Sequence, residues 1–215
     1  MLACGLGAGV ILDAQARRST RRATPRKPAA VALKTEAAKL TCPALLGRGV
    51  RTRLEFCDVL ISRQPADGVL ITIPPHEGPA FVTFSLHNRH TYSDEEVRAK
   101  RAYASYTAVV GLLTMDAELV ERAAVQAEFF AERDLFDRIE GGAGPRGLKA
   151  VAPIGAEHVR LQVDAATQQA SLLGEKLVVV RREQTATYTV AGTPIATVSD
   201  VQVQYRPKRA PARRR

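Results

Sequence analysis

Between residues 40 and 205 the apolar side chains recur at every second position, in short runs broken by turn residues. That period constrains the fold more than any other feature. In "AFVTFSLH" (80–87), Val82, Phe84 and Leu86 share one face, and Thr83, Ser85 and His87 the other. "HVRLQV" (158–163) sets Val159, Leu161 and Val163 inward, and "VRTRLEF" (50–56) alternates Val50, Thr52, Leu54 and Phe56 against Arg51, Arg53 and Glu55. "GVLITIPP" stops at Pro74-Pro75, and "SYTAVVGLLT" (105–114) is apolar on both faces, as a central strand should be. "KLVVVRRE", "TATYTV" and "PIATVSDVQVQY" follow, separated by turn residues. Successive strand side chains point to opposite faces, so these β-branched runs read as half-buried strands. With no long helix between them, the expectation is an all-β fold. It is an antiparallel β-sandwich, Ig-like or jelly-roll-like, of about nine strands with one or two short helices in its connections.

Residues 117–142 resist this pattern. Val120, Ala124, Ala127, Ala131, Leu135 and Ile139 recur at helical spacing, yet Leu119, Ala123, Val125, Ala127 and Phe129 also define a strand face. A hairpin turn at "TMDAEL" favours a strand over 119–129, followed by a short helix over 131–139. The segment 141–147, "GGAGPRG", reads as a flexible loop, and without a GK[ST] ending it is no phosphate-binding loop.

Charge divides the 215-residue chain into parts. The formal net charge is +9, but residues 17–39 hold eight Lys/Arg and one acid, and 206–215 hold six Lys/Arg and none. The remaining body is mildly acidic, which argues against a basic groove on the folded domain. Both ends are rich in Arg, Pro and Ala, so 17–39 reads as a disordered basic tether and 206–215 as a disordered basic tail around a single domain at 40–205. No apolar run is long enough to span a bilayer.

Residues 1–16 read as an export signal that lacks its basic n-region. Apolar "LACGLGAGVIL" leads to Ala14-Gln15-Ala16, small residues of the kind a signal peptidase accepts, placing the mature start at Arg17. Lipidation at Cys4 is a second, less favoured reading. The expected location is periplasmic or extracellular. Removing the signal leaves Cys42 and Cys57, with fourteen residues between them, expected to pair as a disulfide. Two independent buried thiols are the plainer alternative. The sequence argues against a zinc site there, because no second Cys or His pair has ligand spacing near them.

The densest polar stretch is "SLHNRHTYSDEE", 85–96. Ser93 with Glu96 has capping-box spacing, and Asp94, Glu95 and Glu96 would occupy a helix first turn, where the backbone dipole favours acids. Asp94–Arg98 and Glu96–Lys100 add acid-before-base pairs, so 94–101 reads as a short exposed helix. His87 continues the polar face of its strand, and His90 lies beyond the strand end. The residues suggest an exposed ligand patch of His87, Arg89, His90, Tyr92 and Tyr103. A metal shared by the two histidines would need a third donor from His76, Asp94 or His158. A hydrolytic arrangement would use Ser93 or Ser105, and neither sits in a nucleophile elbow. No catalytic residue, metal or cofactor is assigned.

Three function classes follow. The favoured one is an exported, non-enzymatic sandwich that binds or scaffolds in the cell envelope, with an anionic surface or a protein partner met through the basic tails. The second is a metal-dependent or hydrolytic enzyme using His87 and His90. The third is nucleic-acid binding through the tails.

Overall fold

The computed structural model describes residues 32–143 and 149–208. The expected signal, Cys4, most of the tether, most of the 141–147 loop and residues 209–215 lie outside them. Along the chain come β1 (Lys34–Ala37), β2 (Lys39–Thr41), β3 (Leu45–Arg48), β4 (Glu55–Leu60), β5 (Val69–Thr72), β6 (Ala80–Asn88) and β7 (His90–Tyr92). After helix α1 (Asp94–Arg98) follow β8 (Ala104–Thr114), β9 (Leu119–Phe129), β10 (Leu135–Ala143) and β11 (Lys149–Pro153). The last four are β12 (Glu157–Val163), β13 (Gln169–Val180), β14 (Thr185–Tyr188) and β15 (Pro194–Tyr205).

Two antiparallel sheets carry the core. The first has the order β12-β6-β15-β4-β3, with β1 also on β15. The second has the order β2-β5-β13-β8-β9, with β14 also on β13. Their inward positions are those the alternation marks: Val82, Phe84, Leu86, Leu161 and Val163 are buried, together with Val110 and Leu112 of β8. A third sheet, β10-β11-β7, brings Phe136, Ile139 and Ala152 over Phe56 on the outer side of β4. The protein is therefore an all-β sandwich with part of one outer face covered by a second, smaller apolar layer.

The chain crosses between sheets at several places. At Ala38 it leaves β1 in the first sheet and enters β2 in the second. Gly174 is where the sheets nearly touch: it bridges Ile61, and a Cβ there would meet Ile195 Cδ1 at 2.7 Å. The expected disulfide is present. Cys42, just after β2, is bonded to Cys57 of β4 with Cα atoms 5.8 Å apart, inside the usual range, and so joins one sheet to the other.

Four expectations need correction. The tether does not run to Lys39, because β1 lies within it and β2 begins at Lys39. β4 covers β15 only from Pro194 to Val198, and β1 pairs residues 202–205, whose backbone groups would otherwise go unmet. The tail does not begin at Arg206 either, since Arg206 O accepts from Glu77 N (2.8 Å) and Pro207 bridges His76. Residues 50–54 form a turn rather than a strand. Arg53 has a φ of 62°, and the Asp137 carboxylate gathers the Arg51 amide (3.0 Å), the Thr52 amide (2.8 Å) and the Thr52 hydroxyl (2.5 Å). Finally, 131–139 is not a helix. Asp134 accepts the Phe130 and Ala131 amides (2.8 and 2.9 Å), closing a single 3-10 turn at Glu132–Asp134 before β10. By contrast 119–129 is a strand, and α1 starts where the cap places it, with Ser93 Oγ accepting from Glu96 N at 3.1 Å. The return half of the box is replaced, because Glu96 pairs with Arg101 (3.0 Å).

Candidate anion-binding pocket

The polar stretch after β6 does not form one exposed patch. His87 points out of the first sheet, and the third sheet covers it completely. Its Nε2 meets Ser199 Oγ at 3.0 Å, and its ring lies 4.6 Å from Phe136 and 5.5 Å from Phe56, centre to centre. Burial, with some help from the charge of His158, lowers its pKa to about 4. It is a neutral core histidine at pH 7.

His90 faces elsewhere. At Arg89 the chain leaves β6 for β7, and the His90 ring turns onto Phe129, 4.0 Å between centres. Its Nδ1 is hydrogen-bonded to the Tyr106 hydroxyl. Burial, reinforced by the positive charge of Arg181, lowers its pKa to about 3. Burial also pushes the Tyr106 phenol well up, with Arg181 pulling against it. The two histidines thus contact different aromatic groups. Among the described residues no three His, Cys, Asp or Glu side chains stand together as metal ligands.

Tyr103 is also apart, stacked on Phe130 at 4.7 Å. Tyr92 pairs through its backbone with Lys149, and its side chain lies outside the described residues. Of the five expected patch residues, Arg89 and His90 come together. They do so with residues that sequence reasoning missed: Tyr106 from β8, Arg181 just past β13, and Tyr188 at the end of β14. Thr91, Thr193 and Pro194 complete the rim of a cavity of about 230 Å³, floored by Leu177 and Val179. The signal that could have found Arg181 is the charged pair ending "KLVVVRR", a strand that carries its apolar run straight into two arginines.

The charged lining of the cavity is Arg89 and Arg181, with no carboxylate. Behind Arg89, its Nε lies 3.3 Å from Asp58 Oδ2. Burial raises the Asp58 pKa to about 6, with Arg89 opposing the rise. Asp58 and His87 both stand in register with Thr197, so β15 separates them on the same outward face. A larger hollow of about 600 Å³ near Ile61 and Gly174 is lined by Arg63 and by an ion pair in which Arg122 Nε donates to both Glu175 oxygens at 2.8 and 2.9 Å.

No protein-family model and no curated protein matches this chain. Among solved structures, the crystal structure of the infectious bursal disease virus VP2 subviral particle is similar over 82% of this chain, at 13% identity and a TM-score of 0.21. This chain spans 42% of the length of that one. The likeness is too loose to carry an argument. Among the described residues no helix is long and apolar enough to cross a membrane.

Proposed function

We propose that the protein is an exported, non-enzymatic jelly-roll module that binds a small anionic group in the pocket of Arg89 and Arg181. The jelly-roll reading rests on strand order. Within the two six-stranded sheets, β4-β15-β6-β12 and β5-β13-β8-β9 form four-stranded antiparallel runs, the eight strands of a jelly roll once β1, β2, β3 and β14 are taken as additions to it. Export is supported by the Cys42–Cys57 bond, since such bonds persist in oxidising compartments. Binding rather than catalysis is supported by the pocket histidine, whose lowered pKa of about 3 makes it a weak base and whose Nδ1 is already bonded to Tyr106.

The observation that carries the ligand class is the unbalanced lining: two guanidinium groups from separate strand ends among neutral ring and hydroxyl side chains, with no acid on the wall and Asp58 only behind Arg89. Guanidinium groups match carboxylate and phosphate oxygens in a two-pronged geometry. Titration with inorganic phosphate, read as melting temperature at constant ionic strength, tests the reading. The expected result is a saturable rise that Arg181→Gln abolishes. An equal rise in the variant would refute it.

A further inference from the structure

Val110 and Leu112 of β8 belong to the core, so Gly111 and Leu113 face away from the first sheet. Their strand partners share that outer face. Arg122 and Leu173 stand opposite Gly111, and Leu119 stands opposite Leu113. The connection from Ile61 to Gly68 crosses over this face. Ser171 Oγ donates to Pro65 O at 2.7 Å, and a Cβ on Gly68 would meet Leu173 Cδ2 at 2.9 Å. Leu173 is thereby buried, while Leu119 stays 42% exposed. The hollow of about 600 Å³ lies where the connection meets the sheet, lined by Ile61, Leu113, Leu119 and Leu173. Gly111 keeps its floor bare, since a Cβ there would lie 3.0 Å from Glu175 Oε1 and 3.1 Å from Leu119 Cδ1. The ladder of β13 and β8 slips between Gly174 and Lys176, so Glu175 is the extra residue of a bulge, a device that re-aims a side chain. Arg122 meets it across Gly111 and the pair cancels its own charge. One charge on the wall is left over. Arg63 is exposed, and no carboxylate among the described residues is paired with it. We infer that this hollow is a second binding site, for a small amphipathic monocarboxylate with an alkyl tail.

The lining selects that class. Its volume and its aliphatic wall with a few placed polar groups are those of a small-molecule site. The wall has no aromatic side chain to stack on a ring, so the apolar part of the ligand is aliphatic. Arg63, Arg122 and Glu175 sum to a single positive charge, which matches one negative charge on the ligand. A guanidinium fork takes both oxygens of a carboxylate. Glu175 repels a dianion such as phosphate. The site shares no lining residue with the pocket of Arg89 and Arg181, and stands or falls without it.

The test is a titration of full-length protein with octanoate, read by the methyl resonances of its leucines and valines. The expected result is saturation at one octanoate per chain, with shifts at Leu113, Leu119 and Leu173. Acetate, which has the head without the tail, and octan-1-ol, which has the tail without the charge, should each bind about tenfold more weakly or worse. Arg63→Gln should weaken octanoate about tenfold, and Arg63→Lys less. Leu119→Asp, which puts an acid on the exposed wall, should abolish binding. Both sites of substitution are exposed, so an unchanged melting temperature verifies the fold. No saturable binding, equal affinity for octan-1-ol, full affinity in Arg63→Gln, or shifts confined to Leu177 and Val179 of the other pocket would overturn the inference.

Discussion

The two ends of β15 carry the same sign of charge in opposite ways. At Pro194 the strand borders a pocket where two arginines are fixed by strand ends and one of them is backed by Asp58. At Tyr205, about 36 Å away at 3.3 Å per residue, it stands beside Lys34 and is followed by the arginine-rich sequence 206–215. The first end has few charges in a shaped site and suits a small ligand chosen by geometry. The second is followed by six Lys/Arg and no acid in ten residues, a charge set by composition rather than by a shaped site. Exposed charges are screened over about 8 Å at physiological salt, partly buried ones much less. The comparison therefore says that salt should weaken attraction through the terminal charges sooner than attraction in the pocket.

The largest perturbation acts on the middle of the molecule and should not distinguish the ends. Replacing Cys42 and Cys57 with Ser removes the link between sheets and should cost about 3 kcal/mol in denaturant unfolding. Phosphate binding should survive where the fold does. Its loss in a folded variant would mean that the bond shapes the pocket directly.

Acid should act mainly through the two buried histidines and Asp58. The folded pKa values of His87 and His90, about 4 and about 3, lie below the unfolded value near 6.5. Their contribution is full above pH 6.5 and is lost as pH falls toward those folded values. Asp58 runs the other way: with a folded pKa near 6, raised from its unfolded value, it favours the fold in acid and loses that contribution as pH rises through 6. Two groups against one should leave a net loss on the order of 2 kcal/mol between pH 6.5 and 4. His87→Gln with His90→Gln should flatten or invert the profile measured by urea melts. An unchanged profile would remove the histidines from the account.

A sharper division should come from Arg89→Gln combined with Arg181→Gln. Phosphate affinity should fall at least tenfold, about 1.4 kcal/mol, with heparin retention unaltered. Loss of both would mean that these two arginines also carry the attraction expected of the terminal charges. The smallest effect is expected from deleting 17–31 and 209–215. Stability should move by less than about 0.5 kcal/mol, as for other changes away from the core, while heparin retention disappears. A larger change in melting temperature would show that these segments contribute to the packed body.

What the sequence disclosed depended on whether a local pattern decided the outcome. The alternation of Val82, Phe84 and Leu86, the cap at Ser93 and the pairing of Cys42 with Cys57 are local or nearly so, and each is where it was expected. Residues 50–54 and 131–139 were misread because carboxylates of Asp137 and Asp134 gather amides into turns, and periodicity does not record that. His87 looked exposed because it sits on the polar face of β6, and the third sheet that covers it is built from residues about 50 and 65 positions further on. The pocket was half legible: Arg89 and His90 are adjacent in sequence, but Tyr106, Arg181 and Tyr188 join them only through the packing of β8, β13 and β14.

The crossing at Ala38 has a mechanical consequence. A pull on the segment before Lys34 first loads β1 against β15 in one sheet, then β2 against β5 in the other. The next residue after β2 is Cys42, covalently fixed to Cys57 in β4. Peeling must stop there, after the eight residues 34–41 have run out to about 28 Å. With the bond intact, tension arriving through the arginine-rich N-terminal segment is delivered to β4 in the centre of the molecule and bypasses the pocket. With the bond reduced, the same tension continues into β3 and the turn held by Asp137. The cross-link thus works as a strain limiter, setting how far the fold can yield to whatever its N-terminal segment holds.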